Sequence, residues 1–454
     1  MHPSITKKVA LLRQIVTSLV DPALLAGPSP LQALSTACLP IVGATSASPR
    51  PPGRVLLKRD DLLGAPECGG NKLRKLASCL RWLESHPHPG TARPAVAMIG
   101  GRRSNSLPAT AAVLRQRGFP VLIPYLLEAH SGRTNPCLQD SPPPGQASCG
   151  GLRPRVYPLA MSPSMERPDR GISPNELLLE LLFDLPTEAR MLDLTDLAPG
   201  DRPEHHVWRD LAQRGVLSRE LEDAWCQPNI LAAGHPSGRV LSAPRPVEVL
   251  PEGLCFAPSL PGALSLPLEV AEHILAKEIR LPATVYMDAG TGFSAGAFAA
   301  TMDWLGLPVT TKVVLMAGDP SGLRQQVTLA TAGLAQLTAH FPPHSESPAL
   351  ESPANQHQLE ILRPPAGRSF GSAPASVLAY ISQLARATGI FTDPIYSGKL
   401  FMTAEMDISS GHTIGCSTGE GDSLVVHSGG VHALFGYGHR LLRGRDDTSP
   451  RHGT

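Results

Sequence analysis

The chain has 454 residues, of which 42% are hydrophobic, and its 40 basic and 39 acidic side chains leave a formal net charge of +1. It is long enough for two or three packed units with a sizeable core. The balanced charge and an aromatic content of 4% argue against partners such as nucleic acid or an anionic membrane. A small molecule is therefore the expected partner.

The N-terminal segment predicts a capping helix within residues 1–20. The chain has no apolar run of the ~20 residues that a membrane helix needs, and its N-terminus lacks a continuous apolar signal core. We therefore expect a cytoplasmic protein. Lys7, Lys8 and Arg13, with no acid before Asp21, faintly resemble a mitochondrial transit peptide, and that alternative stays open.

Neither the cysteines nor the histidines predict a metal. The eight cysteines form no CxxC pair, so a zinc ribbon or a redox dithiol is not indicated. His427 and His432 flank a glycine pair, but no further ligand spacing accompanies them. We interpret both as ordinary loop histidines.

Two separate parts of the chain alternate short apolar runs with helical periodicity. Residues 94–127 read PAVAMIGG, NSLPATAAVLRQRG and FPVLIPYLL, and residues 283–319 contain ATVYMDAG, FSAGAFAATMDWLG and TKVVLMAGD. Each series predicts strand, helix and strand. We therefore expect an α/β protein with two parallel-sheet layers, whose ligands bind at the carboxyl ends of the strands.

Three polar stretches rich in proline and glycine separate these elements. They lie at about 129–173, 198–252 and 341–370. Their composition is typical of segments that bury too little surface to offset ordering entropy. We interpret all three as insertions.

A glycine loop follows the predicted strand ATVYMDA and precedes an Ala-rich helix. Gly290, Gly292 and Gly296 let the backbone approach an anion, and Thr291 and Ser294 add hydroxyl groups, so the loop predicts a phosphate site. Two alternatives are a tight turn with a helix cap, and a dinucleotide site in which Asp319 binds a ribose. The spacing GxGxxxG differs from the dinucleotide pattern GxGxxG.

The most specific passage is VLLKRDDLLGAPECGGNKLRKLASCL, residues 55–80. It resembles the D-cysteine desulfhydrase and 1-aminocyclopropane-1-carboxylate (ACC) deaminase family of pyridoxal phosphate enzymes, in which KRDD precedes GGNK and the lysine binds the cofactor. By this resemblance the cofactor lysine is Lys72. Lys75, three residues later, is expected to lie on the helix face instead.

Other strings extend the resemblance over nearly everything outside the insertions. They are SPLQAL (29–34), LARATGIFTDPIYSGK (384–399) and LVVHSGGVHALFGY (424–437). The resemblance implies a tryptophan synthase β-like fold, fold type II of the pyridoxal phosphate enzymes, with two open parallel-sheet α/β domains and the cofactor in the cleft between them.

That fold implies a division into domains. The expected large domain comprises 1–74 and 245–454, with an insertion at 341–370, and the small domain comprises 75–200. Residues 200–245 form a further insertion. Since relatives of this kind are commonly dimers, a homodimer is expected.

The implied chemistry starts at Lys72, which would bind the cofactor and then serve as the base that removes the substrate Cα proton. Tyr396 lies beside the cofactor by the same resemblance. In the deaminases a Glu follows this tyrosine and the hydroxyl position of HTGG is apolar, whereas here Ser397 and Ser428 stand there. This favours β-elimination from a small amino acid such as D-cysteine, giving pyruvate, ammonia and sulfide.

The string GGRRSNSLPATAA departs from the family's GGxQSNHxRxxAA. Asn105 is expected to bind the cofactor's ring hydroxyl and Ser104 the substrate carboxylate, but Arg103, Ser106 and Pro108 replace the family's Gln, His and Arg. Substrate identity is therefore open. An ACC deaminase-like enzyme and a cofactor-binding protein with altered or lost catalysis remain as alternatives, and the dinucleotide loop gives a third, a nicotinamide dehydrogenase.

Overall fold

The computed structural model describes several stretches of the chain and a few single residues. The described residues are 2–25, 27–35, 39–40, 53–65, 68–85, 93–101, 104, 106–128, 178, 182, 190–193, 207, 210, 211, 213, 247–341, 357–410 and 421–443. They divide into two compact units. Unit 1 contains those up to Arg81 and from Ser259 onwards, and unit 2 contains those from Trp82 to Pro258.

Unit 1 is built on a six-stranded sheet with the spatial order β1-β2-β12-β9-β10-β11. The edge strand β1 pairs antiparallel with β2, and all the other neighbours are parallel. Its strands, in chain order, are β1 (Leu31–Leu34), β2 (Val55–Arg59), β9 (Ala283–Ala289), β10 (Val309–Leu315), β11 (Gln358–Leu362) and β12 (Ser423–His427). A two-stranded hairpin, β3 (Gly64–Ala65) and β4 (Cys68–Gly69), follows β2.

The central strands are buried along nearly their whole length, as expected for a parallel sheet that helices cover on both faces. The helices of this unit are α1 (Pro3–Leu19), α2 (Asn71–Ser85, whose last residues belong to unit 2), α4 (Leu260–Ala263), α5 (Ser265–Leu275), α6 (Phe293–Leu305), α7 (Pro320–His340), α8 (Ala375–Thr388), α9 (Ser397–Ser409) and α10 (Gly438–Arg443). On one face, Leu57, Tyr286, Val314 and Val425 of the strands form a core with α8 and α9.

The predicted N-terminal helix is confirmed as α1, and it packs into unit 1. Leu12 and Ile15 are fully buried. The Lys8 ammonium donates a hydrogen bond of 2.6 Å to the carbonyl of Trp304. Its positive charge therefore lies at the C-terminal turn of α6, where the helix dipole favours a cation. No described helix has the length and apolar character needed to cross a membrane.

Unit 2 contains a four-stranded, all-parallel sheet with the order β7-β6-β5-β8. Its elements are β5 (Ala95–Gly101), α3 (Ser106–Gln116), β6 (Val121–Glu128), β7 (Arg190–Asp193) and β8 (Val247–Leu250). Both predicted strand–helix–strand series are confirmed, because β5 pairs parallel with β6 and β9 pairs parallel with β10.

Two strands fall inside stretches whose composition predicts insertions. VEVL, at 247–250, forms β8, and QLEIL, at 358–362, forms β11. Both are edge strands of four or five residues, and such short runs beside proline-rich segments give little periodicity. Residues 129–173 and 342–356 lie outside the described part of the chain.

An ion cluster closes the amino edge of the unit 1 sheet, where its parallel strands begin. The Asp422 carboxylate accepts hydrogen bonds from the side chains and backbone amides of both Arg54 and Arg280. Burial alone would raise the pKa of Asp422, but these hydrogen bonds outweigh it and lower the pKa to about 2. The cluster ties together the segments that lead into β2, β9 and β12.

Candidate functional site

The sequence-predicted residues of unit 1 gather at the carboxyl edge of its sheet. Lys72, the glycine loop, Tyr396 and Ser428 all stand on segments that follow, or pack beside, the ends of β2, β9 and β12. This is the edge at which open α/β sheets bind their ligands.

Lys72 is the second residue of α2, and contacts between main chains fix the start of that helix. The Asn71 amide donates a hydrogen bond of 3.0 Å to the carbonyl of Ser428. Gly70 has a φ of +80°, and a Cβ placed on it would lie 2.1 Å from the Ser428 oxygen. The GGNK turn (residues 69–72) therefore packs directly against the SGG turn (residues 428–430) after β12, and this contact requires glycine at position 70.

Replacing Gly70 by Ala should destabilise the protein more than Gly389→Ala. Both glycines have a left-handed φ, but nothing lies within 4 Å of a Cβ at Gly389, which ends α8. Gly389→Ala should thus cost only the backbone strain, about 1–2 kcal/mol. Gly70→Ala should cost roughly 1–3 kcal/mol more, because the two turns must separate. Urea unfolding of both variants measures the difference, and equal losses would contradict the contact.

The glycine loop lies between β9 and α6 as predicted. Gly292 is the N-cap of α6 with a φ of +81°, and no described side chain caps the helix. Thr291 and Ser294 are partly buried beside it. Amide groups at such a helix start, together with the helix dipole, favour an anion. The loop thus has the local features on which the prediction of a phosphate site depends.

Tyr396 borders this loop. A Cβ on Gly290 would lie 3.1 Å from Cε1 and 3.3 Å from Oη of Tyr396, so Gly290 leaves the space that the tyrosine ring needs. On another side the ring packs edge-on against Phe370, with the ring centroids 5.8 Å apart. Tyr396 is thus held as one wall of the site.

The residue after this tyrosine has a structural partner. The Ser397 hydroxyl donates a hydrogen bond of 2.7 Å to the buried Asp393 carboxylate, which also accepts the amides of Ile395, Tyr396 and Ser397. Asp393 thereby satisfies the first amides of α9. In this structure the Ser397 hydroxyl belongs to the cap of α9, whereas the Ser428 side chain forms a hydrogen bond with the carboxyl of Asp288.

Asp288, the sixth of the seven residues of β9, is a residue of this edge that was not predicted from the sequence. Its carboxyl forms a hydrogen bond with the Ser428 side chain and lies within electrostatic reach of Lys72 and Asp393. Burial raises the pKa of Asp288, the Asp393 charge raises it further, and Ser428 and Lys72 oppose the rise. An acid at the end of an apolar strand, next to a glycine loop, was the signal available in the sequence.

The side chain of His427 stabilises the SGG turn that follows it. It is fully buried, its Nε2 lies 2.8 Å from the Phe391 carbonyl, and its Nδ1 accepts the Gly429 amide at 3.2 Å. Both ring nitrogens are thus engaged by main-chain groups. Among the described residues, no group of three or more His, Cys, Asp or Glu side chains is arranged to hold a metal.

A buried ion network anchors the first turns of α2. Arg74 donates to both oxygens of Asp60, at 2.7 and 2.8 Å, and to both oxygens of Glu269, at 2.6 and 3.0 Å. Lys58 pairs with Glu269 at 2.7 Å. Burial alone would lower the pKa of Arg74, but the two carboxylates raise it overall. The two cations and two anions of this network balance, and the network joins the KRDD string, α2 and α5.

The predicted substrate-side residues belong to unit 2. Ser104 precedes α3, where its hydroxyl lies 2.7 Å from the Ser106 hydroxyl and accepts the Ser106 amide at 3.2 Å. Pro108 is the third residue of α3, in the first turn where proline is tolerated. Asn105 and Arg103 lie outside the described residues. Burial raises the pKa of Glu252 to about 7, although the Gly101 amide opposes this by donating to its carboxylate.

Asp319, the acid considered for a ribose, caps α7 instead. Its carboxylate accepts hydrogen bonds from the Gly322 amide and the Ser321 hydroxyl, and these lower its pKa. Asp319 is therefore an ordinary helix cap. The dinucleotide interpretation depended on this residue as the acid that binds a ribose, so it loses that support.

Comparison with known proteins gives structural similarity only. No family model matches the sequence, and no curated protein matches it. A solved structure described as an ACC deaminase homologue is similar with a TM-score of 0.59 and 18% sequence identity over 98% of this chain and 99% of that chain.

Two further solved structures are more distant, each with a TM-score of 0.45 and 13% identity. They are O-ureido-L-serine synthase, covering 96% of both chains, and Escherichia coli diaminopropionate ammonia lyase in its apo form, covering 99% of this chain and 95% of that one. The similarity to the ACC deaminase homologue spans nearly all of both chains and shows their common fold. The chain therefore has the tryptophan synthase β-like α/β fold, fold type II of the pyridoxal phosphate enzymes, that the sequence predicts.

Proposed function

We propose that the chain is a pyridoxal phosphate-dependent lyase that deaminates a small amino acid by β-elimination. The observation that carries this proposal is the placement of Lys72. The close approach of Gly70 to the SGG turn sets Lys72 at the carboxyl edge of the sheet, in the unit that also holds the uncapped glycine loop. The fold shared with the ACC deaminase homologue supports the same assignment.

The residues present fit this cofactor. Lys72 offers an amine, and the loop of Gly290, Thr291, Gly292 and Ser294 offers amides and hydroxyls to a phosphate. Ser428 offers a hydroxyl group that Asp288 orients. When bound, pyridoxal phosphate would supply an aldehyde that condenses with an amine and a ring that accepts the electron pair released at a substrate carbon.

In this proposal the chain's own residues bind the cofactor and the substrate and accept a proton. Lys72 holds the cofactor and then takes the proton from the substrate Cα at its Nζ atom. The start of α6 holds the phosphate, and Tyr396 limits the space beside the glycine loop. Ser104 and Asn105 keep their predicted roles as ligands of the substrate carboxylate and of the cofactor.

The finer proposal is β-elimination from D-cysteine or a related amino acid with a leaving group on Cβ. Ser428 stands where the deaminases that the sequence resembles have an apolar residue, and the hydroxyl of Ser397 is used by Asp393. Neither position carries the Glu of the deaminases. Elimination then releases pyruvate, ammonia and sulfide, whereas opening of the ACC ring releases 2-ketobutyrate and ammonia.

The test begins with the purified chain and pyridoxal phosphate. The mixture is reduced with borohydride and digested, and the modified peptide is identified by mass spectrometry, where we expect the adduct on Lys72 and not on Lys75.

The untreated protein is then offered D-cysteine, L-cysteine and ACC, with pyruvate, sulfide and 2-ketobutyrate as readouts. Sulfide and pyruvate from cysteine support elimination, and 2-ketobutyrate from ACC supports the ring-opening alternative. An adduct without turnover of any amino acid would indicate a cofactor-binding protein without catalysis, and no adduct at Lys72 would refute the proposal.

A further inference from the structure

The loop of residues 363–374 joins β11 to α8 in unit 1. At its start the Arg363 guanidinium donates a hydrogen bond of 2.9 Å to the carbonyl of Gly318, just after β10 ends. Gly367 and Gly371 adopt left-handed φ values of +68° and +72°, which let the chain turn sharply at both places. The loop therefore starts at the carboxyl edge of the sheet, the same edge as the glycine loop.

Side chains from the C-terminal part of unit 1 hold this loop by its carbonyl groups. Hydrogen bonds are donated by Lys399 to Gly367 at 2.6 Å, by Tyr437 to Gly371 at 3.2 Å and by Arg440 to Ala373 at 2.8 Å. Lys399, the third residue of α9, is fully buried, and a buried ammonium group is costly unless it has a hydrogen-bond partner. A Cβ on Gly367 would lie 3.0 Å from Cε of Lys399, so the loop passes close to this side chain. Lys399 thus fixes the loop at Gly367.

The loop carries Phe370 to the ring of Tyr396. The two rings pack edge-on, with their centroids 5.8 Å apart and their planes at 72°. Tyr396 in turn lies against the glycine loop, where a Cβ on Gly290 would be 3.1 Å from its Cε1 atom. A continuous series of contacts therefore runs from Lys399 through Gly367 and Phe370 to Tyr396 and the glycine loop.

The main chain and the ring of Tyr396 are held by different groups. The Asp393 carboxylate accepts the Tyr396 amide at 2.8 Å, which fixes the main chain at the start of α9. That hydrogen bond does not set the direction of the ring, which depends on the side chains and loops that pack around it. Phe370 is one of these, and its own position depends on the loop that Lys399 holds.

We propose that Lys399 and Phe370 are positioning residues that hold the Tyr396 ring against the glycine loop and thereby set the space beside the bound cofactor. This inference rests on the proposed function, in which the glycine loop binds the phosphate. Neither residue takes part in a proton transfer. Their role is to keep one wall of the site in place, so that the phosphate meets a preformed loop and little binding energy is lost in ordering it.

The first experiment follows the Tyr396 ring in the full-length chain without cofactor. The six tyrosines are replaced by 3-fluorotyrosine and observed by fluorine NMR, and the resonance absent from Tyr396→Phe is that of Tyr396. Phe370→Leu should shift this resonance because it removes the neighbouring ring. Lys399→Met should shift it because the loop that carries Phe370 is released, although Met keeps most of the length of the lysine side chain.

The double variant tests whether both changes act by the same route. Once Phe370 is Leu, adding Lys399→Met should change the Tyr396 resonance little further. Additive shifts would show that Lys399 acts on Tyr396 without the loop, and an unchanged resonance in Lys399→Met would show that it does not act at all; either result overturns the inference. If Lys399→Met does not fold, Arg440→Met releases the same loop at Ala373 from an exposed position.

Lys312→Met is the matched control, because Lys312 is another buried lysine of unit 1 and pairs with Asp407 at 2.7 Å. It should shift the resonance of Tyr286, whose ring centroid lies 5.9 Å from Nζ of Lys312, and leave that of Tyr396 in place. An equal shift of Tyr396 in this control and in Lys399→Met would mean that any loss of a buried lysine disturbs the ring, and would contradict the proposal.

The second experiment measures the dissociation constant of pyridoxal phosphate by its visible absorbance. Phe370→Leu and Lys399→Met should each raise this constant by roughly 2- to 10-fold, the size expected for the loss of one aromatic pair, and Lys312→Met should not. Equal constants in all four proteins would refute the role in cofactor binding. If the wild-type chain binds no pyridoxal phosphate, the proposed function fails, whereas the fluorine spectra still decide whether the loop positions Tyr396.

Discussion

Replacing Lys72 by Arg should abolish covalent capture of pyridoxal phosphate and lower the rate of amino-acid deamination by at least roughly 10²–10⁴-fold. Arginine keeps the positive charge beside Asp288 but offers no amine that can condense with an aldehyde or take a proton at neutral pH. The measurements are the visible absorbance of the protein with pyridoxal phosphate and the rate of keto-acid release.

Lys75→Arg is the matched control, since Lys75 lies on the same helix one turn later and its side chain is buried. It should retain both the absorbance and the adduct. If the Lys75→Arg protein loses the adduct and the Lys72→Arg protein keeps it, the cofactor lysine is Lys75. That outcome would contradict the assignment of Lys72 from the resemblance of GGNK to the family.

Replacing Arg74 by Met should lower the free energy of unfolding by about 3–5 kcal/mol. Met fills most of the volume, but Asp60 loses both hydrogen bonds from the guanidinium, and Glu269 keeps only Lys58 as a cation. Two carboxylates are then buried with a single compensating charge. Urea denaturation measures the loss.

Arg81→Met is the control for this substitution. Arg81 lies on the same helix, but it is exposed and donates a single hydrogen bond to the Ser18 carbonyl, so its loss should cost less than about 1 kcal/mol. The double variant Arg74→Met with Asp60→Asn should recover part of the stability, because the uncompensated charge at Asp60 disappears. No recovery would show that the loss comes from packing instead of charge.

The fold was predictable from the sequence because its strands are short apolar runs that end in glycine loops. PAVAMIGG and ATVYMDAG are buried on both faces, and that produces an unbroken apolar pattern. The edge strands β8 and β11 were not predicted, since four or five residues beside proline-rich segments carry too little pattern.

The candidate site was predictable only where all the residues of a feature lie in one continuous segment of the sequence. Lys72 came from a resemblance, because a lysine in a glycine turn has no distinctive periodicity, and the glycine loop came from its own spacing. Asp288 could not be paired with Ser428, nor Arg74 with Glu269, because the partners come from distant segments that the fold brings together. Ser397 was interpreted from the position of the deaminases' Glu near the cofactor. In the structure its hydroxyl group instead binds Asp393, four residues earlier, in the cap of α9.

The ion cluster at the amino edge of the sheet has a consequence for acid conditions. The folded pKa of Asp422, about 2, lies below its ordinary value of 3.8, so its contribution to stability is complete above pH 3.8 and disappears only as the pH falls towards 2. Asp288, at the opposite edge, has a raised pKa and takes up its proton at a higher pH. As the pH falls, the Asp288 carboxyl should therefore become neutral before the hydrogen bonds from Arg54 and Arg280 to Asp422 at the other edge of the sheet are weakened.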